Sequence, residues 1–399
     1  MRKRWICLFT ALMLLVGICG FRPMTSGAAP SAPVDLSKKC SITVIPVDLT
    51  IPEKAEYWED MQTAHIVLEL YKVAGAEKLA GYDTYTFQPE ALYGSLKISE
   101  YSDLQKLKAE DWEELAQEAA QIALEGSGTP LEPLREPEPV QGDGTTLGDL
   151  DAGLYLVVAR DGDLDRAACV KRIQQQVTEE NLPEGEPAQT AERLVTIANS
   201  ARYEYAFTPQ LIALPAKGEY EGEINTANPR PWVYGAEIYL KSGRAPRYGA
   251  LEIIKTLRSY ETVEGIIEPV TFVFRVVGRL DGEVVYDEVD SITFTEEGSS
   301  STRLEGIPAT AEVTVTEEYS GLSYTQTIPP NNGSVSDVIV ADEVIEARFE
   351  NVYDNHRTHG HGIKNQFVYN GEDQEWNWNA DPEQESGSGQ EQGGGQEAE

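Results

Sequence analysis

The chain has 399 residues, and 67 acidic side chains outnumber 32 basic ones to give a formal net charge of -35. That length accommodates two or three domains with a core in each. The charge excludes nucleic acid and anionic membrane as natural partners and describes a solvated, aggregation-resistant surface.

The first residues have the composition of a secretory signal. Arg2, Lys3 and Arg4 form a basic start, Trp5 to Ile18 an apolar run, and Ser26-Gly27-Ala28 a small-residue cleavage site. The run is too short for a comfortable membrane span, so no transmembrane anchor is found, and Ile18 before Cys19 is a poor fit to a lipidation signal. Cleavage after Ala28 removes Arg2, Lys3, Arg4 and Arg22 and no acidic residue, which moves the formal charge from -35 to -39. It also leaves two cysteines, Cys40 and Cys169, each at the end of a predicted strand. Export permits a disulfide between them, and the sequence leaves the pairing open.

Residues 29–38 read as a Pro/Ser/Ala linker, and a first domain is expected over 39–242. Ser41–Val47, His65–Ala74 and Tyr82–Phe87 are predicted strands; in the second, Ile66, Leu68 and Leu70 share a face. One helix interrupts the β pattern over 111–125. Asp111 is its expected cap, Glu114 follows three residues later, Trp112, Leu115, Ala119 and Ile122 recur at helical spacing, and Gly126 ends it. A Pro/Gly/Glu loop over 126–145 leads to the buried strand of Leu150 to Val158, then to strands at Arg193–Asn199, Arg202–Leu214 and Trp232–Leu240.

The second domain, 246–354, shows short strands at Leu251–Leu257, Val270–Val277, Glu283–Val289, Ser291–Thr295, Ala311–Glu317, Ser323–Thr327 and Glu343–Val352. Turn signals every ~8–12 residues mark an all-β sandwich. The fold class read from the whole is mainly β: tandem Ig-like β-sandwich domains, the first carrying an inserted helix. Residues 355–380 form a His/aromatic extension in which Phe367, Tyr369, Trp376 and Trp378 suggest a last hairpin. The acidic tail, 381–399, lacks the apolar residues needed to fold.

Three polar residues break the apolar alternation of the second domain. Lys255 follows Leu251 and Ile253 at period two, Asn351 follows Ala347 and Phe349, and Glu317 follows Val313 and Val315, so all three point inward. A single buried charge is expensive; three inward polar groups on first, middle and last strands predict that they meet. Glu318, the rival carboxylate, falls on the opposite face.

This domain resembles the collagen-adhesin B-type (Cna-B) domain of Gram-positive surface proteins. Gly249-Ala250-Leu251-Glu252-Ile253-Ile254-Lys255-Thr256 is similar to that family's opening strand and Thr271-Phe272-Val273-Phe274 to its second. Ala311 to Tyr324 is similar to its glutamate segment and Phe349-Glu350-Asn351 to its closing strand. The resemblance implies a self-formed isopeptide bond with Lys255 as nucleophile, Asn351 as electrophile and Glu317 as the proton shuttle, polarising the carboxamide oxygen. It also implies a secreted, cell-surface, non-enzymatic structural role as pilin subunit or adhesin stalk, with pilus or surface-protein partners. The alternative is an adhesin that grips host protein or glycan through its first domain without polymerising.

The first domain resembles the amino-terminal domain of such proteins through His65–Ala74 and Gly153–Val158. Ala159 stands where a glutamate would be expected, and Thr208-Pro209-Gln210-Leu211 offers no asparagine. No bond is expected there, and Lys72 reads as a lysine that snorkels to solvent. Leu214-Pro215-Ala216-Lys217-Gly218 is superficially similar to a sortase signal, but it is internal and carries Lys in place of Thr, so it reads as a connector between domains. Lys217 falls where backbone pilins carry a polymerising lysine, but the residues around it do not match their motif. No sorting motif or apolar tail follows in the sequence, which leaves wall attachment open. His356, His359 and His361 lack a completing carboxylate or cysteine, so neither a functional metal nor a cofactor is expected.

Overall fold

In the computed structural model, residues 33–49, 51, 53–98, 107–126, 128, 130–177, 189–218, 230–260, 269–320 and 323–354 are described, with backbone alone at a few further positions. The signal segment, the three-histidine loop and the acidic tail lie outside the described residues. The fold is mainly β, in tandem sandwiches. Among the described residues no helix is long and apolar enough to cross a membrane.

The first domain is organised around β5 (Gly153–Asp161), whose nine residues are all buried. Alternation divides its side chains between two cores. Leu154, Leu156 and Val158 join one cluster; Tyr155, Val157 and Ala159 join the other. Its sheet runs β9 (Gln210–Leu214), β5, β2 (Ile66–Lys78), β3 (Tyr85–Pro89). Such a doubly covered strand loses the polar alternation of a half-exposed one and reads as a continuous apolar run.

On one side lies α2 (Ala109–Glu125), which buries Leu115, Ala116, Ala119, Ala120, Ala123 and Leu124. The helix begins two residues before its expected start. Asp111 sits inside the first turn and its carboxylate accepts the backbone N–H of Lys108 at 2.9 Å, so it caps from within. On the other side, β1 (Cys40–Ile45) lies between β4 (Thr145–Leu150) and β10 (Gly235–Tyr239). With α1 (Glu53–Met61) supplying Met61, these close the second core. A third sheet joins β6 (Val170–Val177), β7 (Gln189–Asn199), β8 (Tyr203–Phe207) and β11 (Ser242–Pro246). Val34, in the segment read as linker, is 2% exposed and packs into the helix-side core, where its N–H is taken by Asp83.

The second domain stacks the sheet β15 (Gly298–Pro308), β12 (Tyr248–Leu257), β19 (Val344–Tyr353), β17 (Tyr324–Ile328) on the sheet β14 (Glu283–Phe294), β13 (Val270–Leu280), β16 (Glu312–Tyr319), β18 (Val335–Val338). First strand β12 and last strand β19 are parallel neighbours. Two features fix this arrangement locally. Asp281 and Gly282, both at positive φ, make the tight β13–β14 turn. Gly249 lets the start of β12 approach the chain before β19, where a Cβ would lie 2.3 Å from the carbonyl oxygen of Val340.

Arg247 alone separates β11 from β12. Its N–H donates to the carbonyl of Arg202 at 2.9 Å, and its own carbonyl accepts from Ala309 at 2.9 Å. Its guanidinium donates to the carbonyl of Ser200 in the first domain and to Asp342 in the second. Arg202 adds an ion pair to Asp281 on the β13–β14 turn.

Candidate functional site

The structure brings Lys255, Glu317 and Asn351 together inside the second sandwich. Lys255 lies on β12, two residues from Leu257, which is the register partner of Asn351 on β19. Glu317 faces them from β16 in the opposite sheet. Lys255 and Asn351 are 0% exposed, and the side chain of Glu317 is likewise 0% exposed. Lys255 Nζ donates to Glu317 Oε2 at 2.5 Å and to Asn351 Oδ1 at 2.5 Å, and Asn351 Nδ2 donates to Glu317 Oε1 at 2.6 Å. Each side chain touches the other two. Glu318 lies outside, 46% exposed, beside Arg275.

The walls are aromatic. The Phe272 ring centroid lies 4.5 Å from Lys255 Nζ, with Phe274 at 5.8 Å and Phe349 at 6.0 Å. Ring faces favour an ammonium, but removal from water outweighs them. Burial pulls the Lys255 amine down to about 8, against the opposing pull of Glu317. Burial also pushes the Glu317 carboxyl above its ordinary value, against its hydrogen bonds to Lys255 and Asn351. Both shifts favour the uncharged forms, an amine and a carboxylic acid.

The orientation of Glu317 differs from the sequence expectation. Its carboxyl spans Nζ and Nδ2 and does not face Oδ1, so it is positioned between the amine and the amide nitrogen. Lys255 itself holds the carbonyl oxygen.

Cys40 and Cys169 are both buried free thiols. Cys40 pairs with Leu150, just before β5 begins, and its thiol donates to Lys38 O. The Cys169 thiol donates to Asp161 O, where β5 ends. A nine-residue strand places them about 25 Å apart, far beyond the reach of a disulfide.

Lys72 follows the inward set of Ile66, Leu68 and Leu70, but the register shifts between Lys72 and Ala74. Its amine emerges to Glu90 at 3.4 Å, with the side chain 29% exposed. Lys217 is not in a connector. Ala216–Lys217 pairs with Trp232–Val233, and the chain stays in the first domain through Pro246. Its amine stands 3.7 Å over the Trp232 ring and 3.3 Å from Asp83. Among the described residues no cluster of His, Cys, Asp or Glu could hold a metal ion.

Sequence reasoning missed a second buried charge centre. Glu69 is 0% exposed; Oε1 accepts from Arg160 Nε at 2.8 Å and Arg166 Nε at 2.7 Å, and Oε2 accepts from the Tyr71 hydroxyl at 2.6 Å. Period two separates Glu69 from the apolar face of β2, and only the double covering of that strand buries it. Gln326, which period two from Tyr324 places on the inner face, is 4% exposed and stands opposite Asn351 in the β17–β19 pair.

A family model described as a domain of unknown function (DUF5979) matches residues 251–354. No curated protein matches. Among solved structures, the chain is similar to a pilus-presented adhesin at 15% identity and a TM-score of 0.22, over 43% of this chain and 39% of that one. It is similar to the major pilin T-13 of Streptococcus pyogenes at 10% identity and a TM-score of 0.20, over 82% and 100%. It is also similar to a Mobiluncus mulieris adhesin containing intramolecular disulfide, isopeptide and ester cross-links, at 14% identity and a TM-score of 0.24, over 72% and 84%. The chain thus spans 39% of the first of these proteins, and likenesses this distant assign no chemistry. Gram-positive pilins and adhesins are what this chain is similar to, and the stretch matched by the family model is the sandwich that contains Lys255, Glu317 and Asn351.

Proposed function

We propose that this chain is an exported, non-enzymatic cell-surface protein, a pilin subunit or adhesin stalk, whose second domain ties its first strand to its last with an isopeptide bond between Lys255 and Asn351. The observation that carries the reading is the closed, dry triangle of amine, carboxyl and carboxamide. The uncharged amine of Lys255 attacks the Asn351 carboxamide carbon. Glu317 takes the amine proton on one oxygen and delivers a proton from the other to Nδ2. The C–Nδ2 bond breaks as the new C–Nζ bond forms, and one ammonia leaves. The fold supplies the attack distance in advance, which replaces an encounter between separate reactants.

The mechanical consequence follows from the topology. A pull on the two ends of the domain enters at the start of β12 and leaves at the end of β19. A Lys255–Asn351 bond carries the load directly between these strands, and the chain from Thr256 to Glu350 is bypassed. A stalk or fibre subunit needs this property, and turnover of a substrate does not.

The test is the intact mass of the chain lacking residues 1–28, wild type against Glu317→Ala. The wild type is expected to be lighter than its sequence by one ammonia, and the variant to match its own sequence. A wild type at full sequence mass overturns the proposal.

A further inference from the structure

Asn351 pairs directly with an edge strand, and Glu317 follows a residue bonded to the start of another. β17 is the edge of one sheet and β18 the edge of the other. The turn Pro329-Pro330-Asn331-Asn332-Gly333 crosses between them, with Asn331 and Asn332 at positive φ. Gln326 secures this turn. Its Nε2 donates to the carbonyls of Pro329 at 2.8 Å and Gly333 at 2.9 Å, so both amide hydrogens are used on the turn. The far end is fastened by Ser334 to Thr316, the residue before Glu317, at 2.8 Å. The turn is therefore tied at one end to the register partner of Asn351 and at the other to the neighbour of Glu317.

Gln326 is also the second carboxamide on the inner face. Because its nitrogen is committed to the turn, Asn351 is the amide that meets Lys255 and Glu317.

We propose that Gln326 is a positioning residue that holds the 329–333 turn shut over the Lys255–Glu317–Asn351 triad and keeps water from it while the amide exchange proceeds. This rests on the reading of the triad as a bond-forming site. The physical link is desolvation. The reactive arrangement has the proton on Glu317 and none to spare on Lys255, and only a dry site brings the two affinities close together. Water entering through a loosened turn moves them apart. Each unit of separation lowers the reactive population about tenfold. It also widens the pH range over which the pair sits as an unreactive ion pair.

The experiment uses the chain lacking residues 1–28, isolated unfolded in urea, refolded by dilution at a series of pH values, quenched in denaturant and weighed intact. Three proteins are compared: wild type, Gln326→Met, which fills the volume without donors, and Gln326→Ala. Both variants are expected to lose ammonia about tenfold more slowly than wild type at neutral pH. Their pH profiles should be lower and broader, and far-ultraviolet circular dichroism should show that they have refolded. A Gln326→Met chain that matches wild type in rate and profile overturns the inference and leaves the bond intact. A Gln326→Met chain that fails to refold also counts against it, since it would give Gln326 a folding role in place of a positioning one. A wild type that never loses ammonia overturns both readings.

Discussion

Replacing Lys255 with Met removes the nucleophile and keeps most of the packing volume. The loss can be worked from the loop the bond would close. Lys255 and Asn351 are 96 residues apart in sequence, and closing a loop of that length restricts the unfolded chain by about 4.7 kcal/mol on chain-entropy grounds. For a domain of roughly 100 residues this corresponds to about 20 °C in melting temperature. Methionine keeps the packing beside three phenylalanines, and the Glu317 carboxyl, already pushed up by burial, takes a proton and keeps Asn351 as its partner, so the added cost is that of one lost buried hydrogen bond, about 1–3 kcal/mol. Glu317→Gln tests the same bond differently. It blocks proton transfer and also strands a buried amine, so it should fall further than Lys255→Met. Differential scanning calorimetry of the chain lacking residues 1–28 should show the second domain's transition move down by that amount while the first domain's stays put. Coincident transitions for wild type and Lys255→Met, with masses equal after allowing for the substitution, would refute the reasoning.

Two further outcomes follow. The rate of ammonia loss on refolding should be bell-shaped in pH. Protonation of both groups silences the acid limb, because the raised Glu317 carboxyl takes its proton early. Loss of the shared proton silences the alkaline limb above about 8, where the Lys255 amine titrates; a rate that climbs steadily beyond that point would rule out a proton held between the two. In the first domain, Glu69→Gln leaves Arg160 and Arg166 without their carboxylate and should cost that domain about 3–5 kcal/mol by urea denaturation. The ammonia loss of the second domain should be unchanged; a joint loss of both would mean the domains do not unfold separately.

The inward run of the second domain was legible because period two is strict there. Leu251, Ile253, Lys255 and Leu257 are all 1% exposed or less, and one-residue alternation leaves no other face for the lysine. What escaped lacked contrast between faces. Gly298–Pro308 is an edge strand rich in Ser, Thr and Glu, exposed along most of its length, so no apolar rhythm announces it. Glu283–Phe294 read as two strands broken near Asp290, yet it is continuous; both of its faces are exposed through most of its length, and Asp290 is held within the ladder by Ser291 N and Thr302. The opposite failure occurred in the first domain, where burial of both faces of β2 hid Glu69 among apolar neighbours. The helix start slipped because an acidic residue in the first turn and a true cap look alike in sequence. Convergence of Lys255, Glu317 and Asn351 could be anticipated from parity, but which amide atom Glu317 meets depends on which sheet each comes from, and that is a property of topology.

Arg247 has a consequence for the molecule's outline. A single residue bonded on both sides leaves no slack between the sandwiches, so the angle between their long axes is set by geometry and not by a tether's wandering. Copies placed end to end would accumulate that angle as a regular curvature or twist. The two arginines at the boundary would then govern bending stiffness at nanometre scale, and high salt, which weakens exposed ion pairs such as those to Asp281 and Asp342, would soften it.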